Sequence, residues 1–247
     1  VPAIVKDTFP IHLPTKLSSA SHNNRPPFIN LNILQHIVEL ICLDKKDDME
    51  HAIPNQEQGS EMNAVEKTSF DHAEQASEFY LVAKQRLLDV NNWDKICNLP
   101  SSTFILCGPD GQHVERSVQV GDFLKIDIPG PGTSTGDGYD WVKIEFMEEQ
   151  HDNGADIMSI RVRPTDNPLS PEEAVAHFFK DAATSTFQVK KIGNEVFAEV
   201  HGRNEMANTE TDHLMDNVRN TMVGLGAKVG ASYPQWKGLV AGLVSLD

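Results

Sequence analysis

The residues best placed to do chemistry stand together in the string Glu199-Val200-His201-Gly202-Arg203-Asn204-Glu205. If this string is a β-strand, alternation puts Glu199, His201, Arg203 and Glu205 on one face and Val200 on the other. A histidine beside carboxylates can move protons near neutral pH. His201 with Glu205, or with Asp140 from an earlier strand, is therefore a candidate acid–base pair. The same residues also suit a solvated sheet face laced by cross-strand ion pairs, continuing Thr186, Gln188 and Lys190 of the partner strand. If the strand ends near His201, Arg203 and Asn204 sit at a sheet rim, where they could orient a polar ligand group. Trp141 follows Asp140 at a strand entrance and either packs or offers its indole N–H at a cavity mouth. Arg219 lies between apolar positions of a C-terminal helix. From there it could form an ion pair with Asp140, Glu199 or Glu205, or bind a ligand.

Other chemistries find little in the sequence. The ten histidines show no H-x-x-H, H-x-x-x-H or H-E-x-x-H spacing, so no metal site is expected. The three cysteines, Cys42, Cys97 and Cys107, form no C-x-x-C pair and read as reduced, partly buried thiols. There is no G-x-S-x-G. The glycine-rich loop at 130–138 has no lysine and fits neither phosphate-binding glycine pattern, so it reads as a hairpin or lid loop and no cofactor is expected.

The elements that must position these residues follow from periodicity. Asp71 and Glu74 resemble a capping pair, followed by Ala73, Ala76, Phe79, Tyr80, Ala83, Leu87 and Val90 at helical spacing. Strands follow at 103–107, at Val118, Val120, Leu124, Ile126 and Ile128, and at Val142, Ile144 and Phe146. Asp152-Asn153-Gly154 turns the chain into Met158, Ile160 and Val162. Ser170-Pro171-Glu172-Glu173 predicts a helix to about 182. A last hairpin turns at Gly193-Asn194 and brings Val196, Ala198 and Val200 to the core. A long helix from 208 or 209 would bury Leu214, Met215, Val218, Met222, Leu225 and Val229. Gly230 and Pro234 break it before the stripe Trp236, Leu239, Val240 and Leu243. Strands in the middle and helices at the ends give an α+β fold with an antiparallel sheet.

Residues 1–69 differ in texture: prolines first, an apolar segment at 28–43, then a polar linker. They read as an N-terminal appendage to a single domain at 70–247. Formal charge is −15 at 247 residues, and most of the excess acid falls after residue 69. That balance argues against a nucleic-acid backbone as partner. The absence of an apolar run near 18 residues argues against a membrane span. A cytoplasmic location is expected.

The element order, with Leu87-Leu88-Asp89-Val90-Asn91-Asn92-Trp93 leaving the first helix, resembles the helix-grip fold of START and polyketide-cyclase-like proteins. The resemblance spans about 70–247. It implies a curved antiparallel sheet packed on a long C-terminal helix, with a hydrophobic cavity between them. Small-molecule binding there is the leading expectation, with a partly apolar ligand contacted by Trp141, Arg203, Asn204 and Arg219. A cyclase- or hydrolase-like enzyme using His201 is one alternative. An interaction module or homodimer docking through 28–43 is another.

Overall fold

The structure is a computed structural model that describes residues 52–97, 102–127, 136–170, 175–209, 216, 220 and 233–247. The chain divides into two compact units, Val1–Asp44 and Lys45–Asp247, and every described residue belongs to the second. The apolar segment 28–43, Cys42, Ile128, most of the glycine-rich loop, Arg219 and the apolar face expected at 214–229 lie outside the described residues.

Seven strands form one antiparallel sheet in the order β1-β7-β6-β5-β4-β3-β2. They are β1 (Ser60–Ser69), β2 (Thr103–Cys107), β3 (Phe123–Asp127), β4 (Asp140–Asp152), β5 (Ala155–Pro164), β6 (Thr184–Ile192) and β7 (Glu195–Glu205). Helix α1 (Ala73–Leu88), a 3-10 turn at Val90–Asn92 and the short α2 (Trp93–Ile96) fall between β1 and β2, and α3 (Tyr233–Leu243) closes the fold. Among the described residues, one strand, two helices, a six-strand meander and a closing helix follow in the order of the helix-grip arrangement, as the resemblance implied.

β1 stands N-terminal to the domain boundary drawn at 69/70, so that boundary cuts the sheet. Its ladder to β7 runs from Ser60↔Glu205 to Ser69↔Glu195. The strand escapes a hydrophobic reading because it is an edge: only Ala64 of its ten residues is fully buried, and apart from Met62 and Val65 the others are polar.

The core lies between the concave sheet face and the helices. Ala76, Tyr80, Ala83 and Leu87 of α1, Val90, and Leu239, Val240 and Leu243 of α3 pack on Leu106, Leu124, Ile144, Ile160, Phe187, Val189, Val196, Ala198 and Val200. Trp93 is fully buried and meets Phe104 edge-on at 5.4 Å and Phe187 at 4.8 Å. Its indole N–H donates to the Leu87 and Arg86 carbonyls at 3.2 Å, satisfying the exposed end of α1. Asn91 joins helix to sheet: its Oδ1 accepts from the Leu106 N–H (2.8 Å) and its Nδ2 donates to the Val114 carbonyl (2.9 Å). The string that carried the resemblance is thus a set of hydrogen bonds that ends one helix and starts the sheet. Trp236, the first residue of the expected apolar stripe, packs on Phe187 and Phe104.

Four local expectations shift. The α1 N-cap is His72, not Asp71, with the Gln75 side chain accepting from its backbone N–H. Val120 is exposed and lies outside β3. Phe146 leaves the core face because a bulge falls between Ile144 and Phe146, so Met147 pairs with Ile160 inside while Phe146 meets Arg161 outside. The helix expected to run to 182 is absent over 175–182. That segment instead spends its backbone groups on its neighbours: Ala176 N–H to Thr165 O, Trp141 N–H to Ala176 O, and Lys180 N–H to Met206 O. Burial of Ala176, Phe178 and Phe179 overrides the local start signal.

Arg86 gathers the carbonyls after α3, donating to Ser245 O at 2.6 Å and Asp247 O at 3.0 Å. Gly242 sets how close α3 comes to α2, since a methyl there would overlap the Ile96 carbonyl. Alanine is the better helix former by about 1 kcal/mol, yet Gly242→Ala is expected to destabilise by about 1–3 kcal/mol through this overlap. Urea unfolding of the two chains gives the sign.

Candidate functional site

The end of β7 does not keep its alternation. Asn204 adopts φ +57°, the left-handed conformation that asparagine tolerates better than most residues. The register records the result: Ser60 pairs with Glu205 and Met62 with Gly202, so Arg203 and Asn204 together oppose Glu61. This bulge turns Glu205 off the face that carries His201. Its carboxyl lies over the Cα of Gly202, where a methyl group would overlap Glu205 Oε1. Gly202 belongs to the concave face, opposite Met62 on one side and Ser185 on the other, with Val162 next across the sheet.

Asn204 is held from outside by the segment before β1. Its Oδ1 accepts from the backbone N–H groups of Glu57 (2.7 Å) and Gln58 (3.1 Å), and its Nδ2 donates to the Asn55 carbonyl (3.1 Å). Its own N–H donates to Gln56 Oε1 at 2.9 Å. Gly59, at φ +67°, lets the chain pass, since a side chain there would overlap the Glu205 carbonyl. Asn204, expected to touch ligand, is instead the anchor that aims its neighbour.

Glu205 is half-buried on an apolar surface. Its carboxylate accepts a long 3.5 Å hydrogen bond from Ser60 Oγ. Burial pushes its pKa up to about 7, against smaller opposing effects of Ser60 and the Arg203 charge. Arg203 gives little help because its guanidinium donates to the Gly202 carbonyl at 2.7 Å and the Met62 carbonyl at 3.3 Å.

Asp140 is fully buried and pairs with Ile126 at the start of β4, which places it on the concave face at the same end of the sheet. Three strand spacings, about 14 Å, separate it from Glu205. His201 is on the convex face. Its Nδ1 lies 2.7 Å from Asn63 Oδ1 and its Nε2 2.8 Å from Glu199 Oε2. The sequence-derived pairs His201–Glu205 and His201–Asp140 are therefore split between opposite faces of the sheet.

The convex face carries a polar lattice. Lys190 reaches Glu199 at 2.6 Å. Burial works against the Glu199 charge, but His201 and Lys190 outweigh it and hold the carboxyl below its usual range. Glu145, which follows Ile144 onto this face by alternation and is joined there by Phe146 through the β4 bulge, takes Arg161 and Arg163 at 2.6 Å each. There too burial is outweighed by the two guanidinium groups, and the carboxyl is held low. Thr186 Oγ1 donates to the Ala52 carbonyl at 3.0 Å and Gln188 Nε2 to Ser159 Oγ at 2.8 Å. Cross-strand ion pairs were one of the two sequence readings of this face, but Thr186, Gln188 and Glu199 are buried where solvent was expected.

Trp141 also sits on the convex side. It clusters with Cys107, Phe123 and Ala176, and its indole N–H donates to the Gly136 carbonyl at 3.3 Å. It packs there and faces away from the concave rim. Asp216 and Asn220 are helical, buried and one turn apart, two polar positions that the apolar pattern of the long helix did not single out. Sequence reading also passed over Ser60, Ser185 and the reversal of Glu205. The available signal was Gly59 opposite Asn204, two residues that accept positive φ.

Among the described residues, no group of His, Cys, Asp and Glu side chains could hold a metal ion, and no helix is long and apolar enough to cross a membrane. No protein-family model matches the chain, and no curated protein matches it. Among solved structures the chain is similar to truncated norcoclaurine synthase from Thalictrum flavum, at 10% identity and a TM-score of 0.35, covering 78% of this chain and 100% of that one. It is similar to major latex-like protein 151 from Panax ginseng at 11% identity and a TM-score of 0.31, over 70% and 97% of the two chains. A Mycobacterium smegmatis protein gives 12% identity and a TM-score of 0.35 over 78% and 98%.

Two outcomes follow from this geometry. Asn204→Ala is expected to cost about 2–3 kcal/mol, from the left-handed backbone and the lost side-chain bonds. Asn204→Gly, which keeps the backbone conformation, costs less, and chemical denaturation ranks the three chains. A raised folded pKa at Glu205 means its contribution to stability is complete below the unfolded value of 4.5 and is lost as pH rises through about 7. Glu205→Gln is therefore expected to melt above the wild type at pH 8, with the gap shrinking toward pH 4.5.

Proposed function

We propose that residues 70–247, together with β1, bind a small, partly apolar molecule between the concave sheet face and the C-terminal helical region. The observation that supports this most is Glu205. Its titratable carboxyl is turned onto the apolar face of a sheet, over a glycine, by a bulge that the preceding segment clamps in place. A half-buried carboxyl on an apolar surface destabilises the chain that carries it unless something binds there. Ser60 and Ser185 add hydroxyls beside it, and Met62, Val162 and Gly202 supply an apolar floor. A few polar groups converging on an apolar surface is the usual composition of a small-molecule site.

The acid–base alternative loses its geometry, because His201 and its partners Glu199 and Asn63 stand on the opposite face. His201→Ala is accordingly expected to lower stability by about 1 kcal/mol and to leave ligand binding unchanged.

Native mass spectrometry of the freshly purified 247-residue chain is the direct test. A non-covalent adduct of small-molecule mass that disappears on denaturation is expected. A clean mass that a lipid and metabolite panel fails to shift would overturn the proposal.

A further inference from the structure

The β4–β5 hairpin turns on two exposed residues, Asn153 at φ +48° and Gly154 at φ +80°. They form the one Asn-Gly step in the sequence. The ladder ends at the pair Asp152↔Ala155, so the Gly154 N–H lies beyond it, with no hydrogen-bond partner among the described residues. A methyl group built on Gly154 would meet nothing within 4 Å, so the turn stands clear of its surroundings. The Asn153 carboxamide donates to Asp152 Oδ2 at 3.1 Å, its one bond among the described residues.

We infer that this turn is a site of spontaneous modification, where the Gly154 backbone nitrogen closes on the Asn153 side chain and converts it to isoaspartate or aspartate. The nitrogen gives its proton to solvent base and forms a bond to Asn153 Cγ. The Cγ–Nδ2 bond breaks, and Nδ2 takes up a proton and leaves as ammonia. Water then opens the five-membered imide that remains. Attack at Cγ gives aspartate, and attack at the main-chain carbonyl gives isoaspartate. Either product is one mass unit heavier than asparagine and carries one further negative charge. Glycine permits the closure because no side chain hinders its nitrogen. Asn194, exposed in the β6–β7 turn, is the contrast. It follows its glycine instead of preceding it, its Nδ2 donates to the Phe70 carbonyl at 2.6 Å, and the next nitrogen belongs to Glu195 of β7. Asn204 is fixed by its three side-chain bonds and precedes Glu205.

The isoaspartate product changes the hairpin. It adds a main-chain carbon to a two-residue loop whose length sets the register of β4 on β5. It also sets a new carboxylate beside Asp152. Just inside the turn, His151 and Lys191 hold Asp156, and Lys84 of α1 holds Glu149. These pairs tie the hairpin to β6 and α1, and they are the first contacts that a lengthened turn disturbs.

The full chain is incubated in warm buffer at pH 8 and digested with trypsin beside an untreated sample. Peptide 144–161 contains Asn153 as its one asparagine, and peptide 192–203 contains Asn194 as its own. The gain of one mass unit is expected about tenfold faster in 144–161 than in 192–203, the factor given by about 1.4 kcal/mol of added barrier where the neighbour carries a side chain. The rate is expected to rise several-fold from pH 6 to pH 8, with isoaspartate as the main product. Asn153→Gln, which would need a six-membered ring, is expected to lose the gain. The converted chain, separated by its extra charge on anion exchange, is expected to melt below the unmodified chain. Equal rates in the two peptides, no gain in 144–161, or aspartate without isoaspartate would overturn the site. An unchanged melting temperature would overturn its coupling to the hairpin.

Discussion

One left-handed residue governs how the interior of this fold meets its edge. With Asn204 in the ordinary extended conformation, Glu205 would continue the convex row of Glu199, His201 and Arg203. Its positive φ instead moves a carboxyl from one face of the sheet to the other. The conformation depends on contacts distant in sequence: Asn204 is bonded to Glu57, Gln58 and Asn55, almost 150 positions away, and Gly59 leaves room for the approach. The segment before β1 is thus part of the device that aims the side chain.

The two sheet faces solve the problem of polar burial in opposite ways. On the convex face, charges are closed into pairs and triads, with Glu145 between two arginines and Glu199 between Lys190 and His201. Removing one member of such a set leaves a partly buried charge without its partner, which is why these groups hold each other ionised. The concave face is apolar through its middle and closed by lysine–carboxylate pairs at the hairpin end. Only at the Glu205 rim does a carboxyl face apolar surface without such a match among the described residues. A close cross-strand ion pair and a half-buried, weakly bonded carboxyl lie six residues apart on β7, and their chemistry differs because their neighbours differ.

Much of the framework was legible in the sequence. The period-two rows Val196-Ala198-Val200 and Met158-Ile160-Val162, the Asn153-Gly154 turn and the i, i+3, i+4, i+7 stripe of α3 each encode their own geometry locally. What could not be read locally depended on distant partners. β1 has too few apolar residues to announce itself and is a strand because β7 offers it a ladder. The 175–182 segment carries a strong helix-start signal just before it and is irregular because Thr165, Trp141 and Met206 accept and supply its hydrogen bonds. The candidate site failed in sequence for the same reason: alternation groups His201 with Glu205, and a single bulge, set by a loop far upstream, separates them.

The pairing of β1 with β7 also has a kinetic side. His201 and Asn63 lie 138 positions apart, and Thr68 reaches Val244 across 176. Contacts of such separation form late, because the chain between them must be ordered before the ends can meet. Until then β7 offers an unpaired edge whose inner row is Val196, Ala198 and Val200, the kind of surface that recruits other chains. The charges of β1, Glu61, Glu66 and Lys67, suit it to this position, because a strand that waits in water for its partner must not find a second copy of itself first.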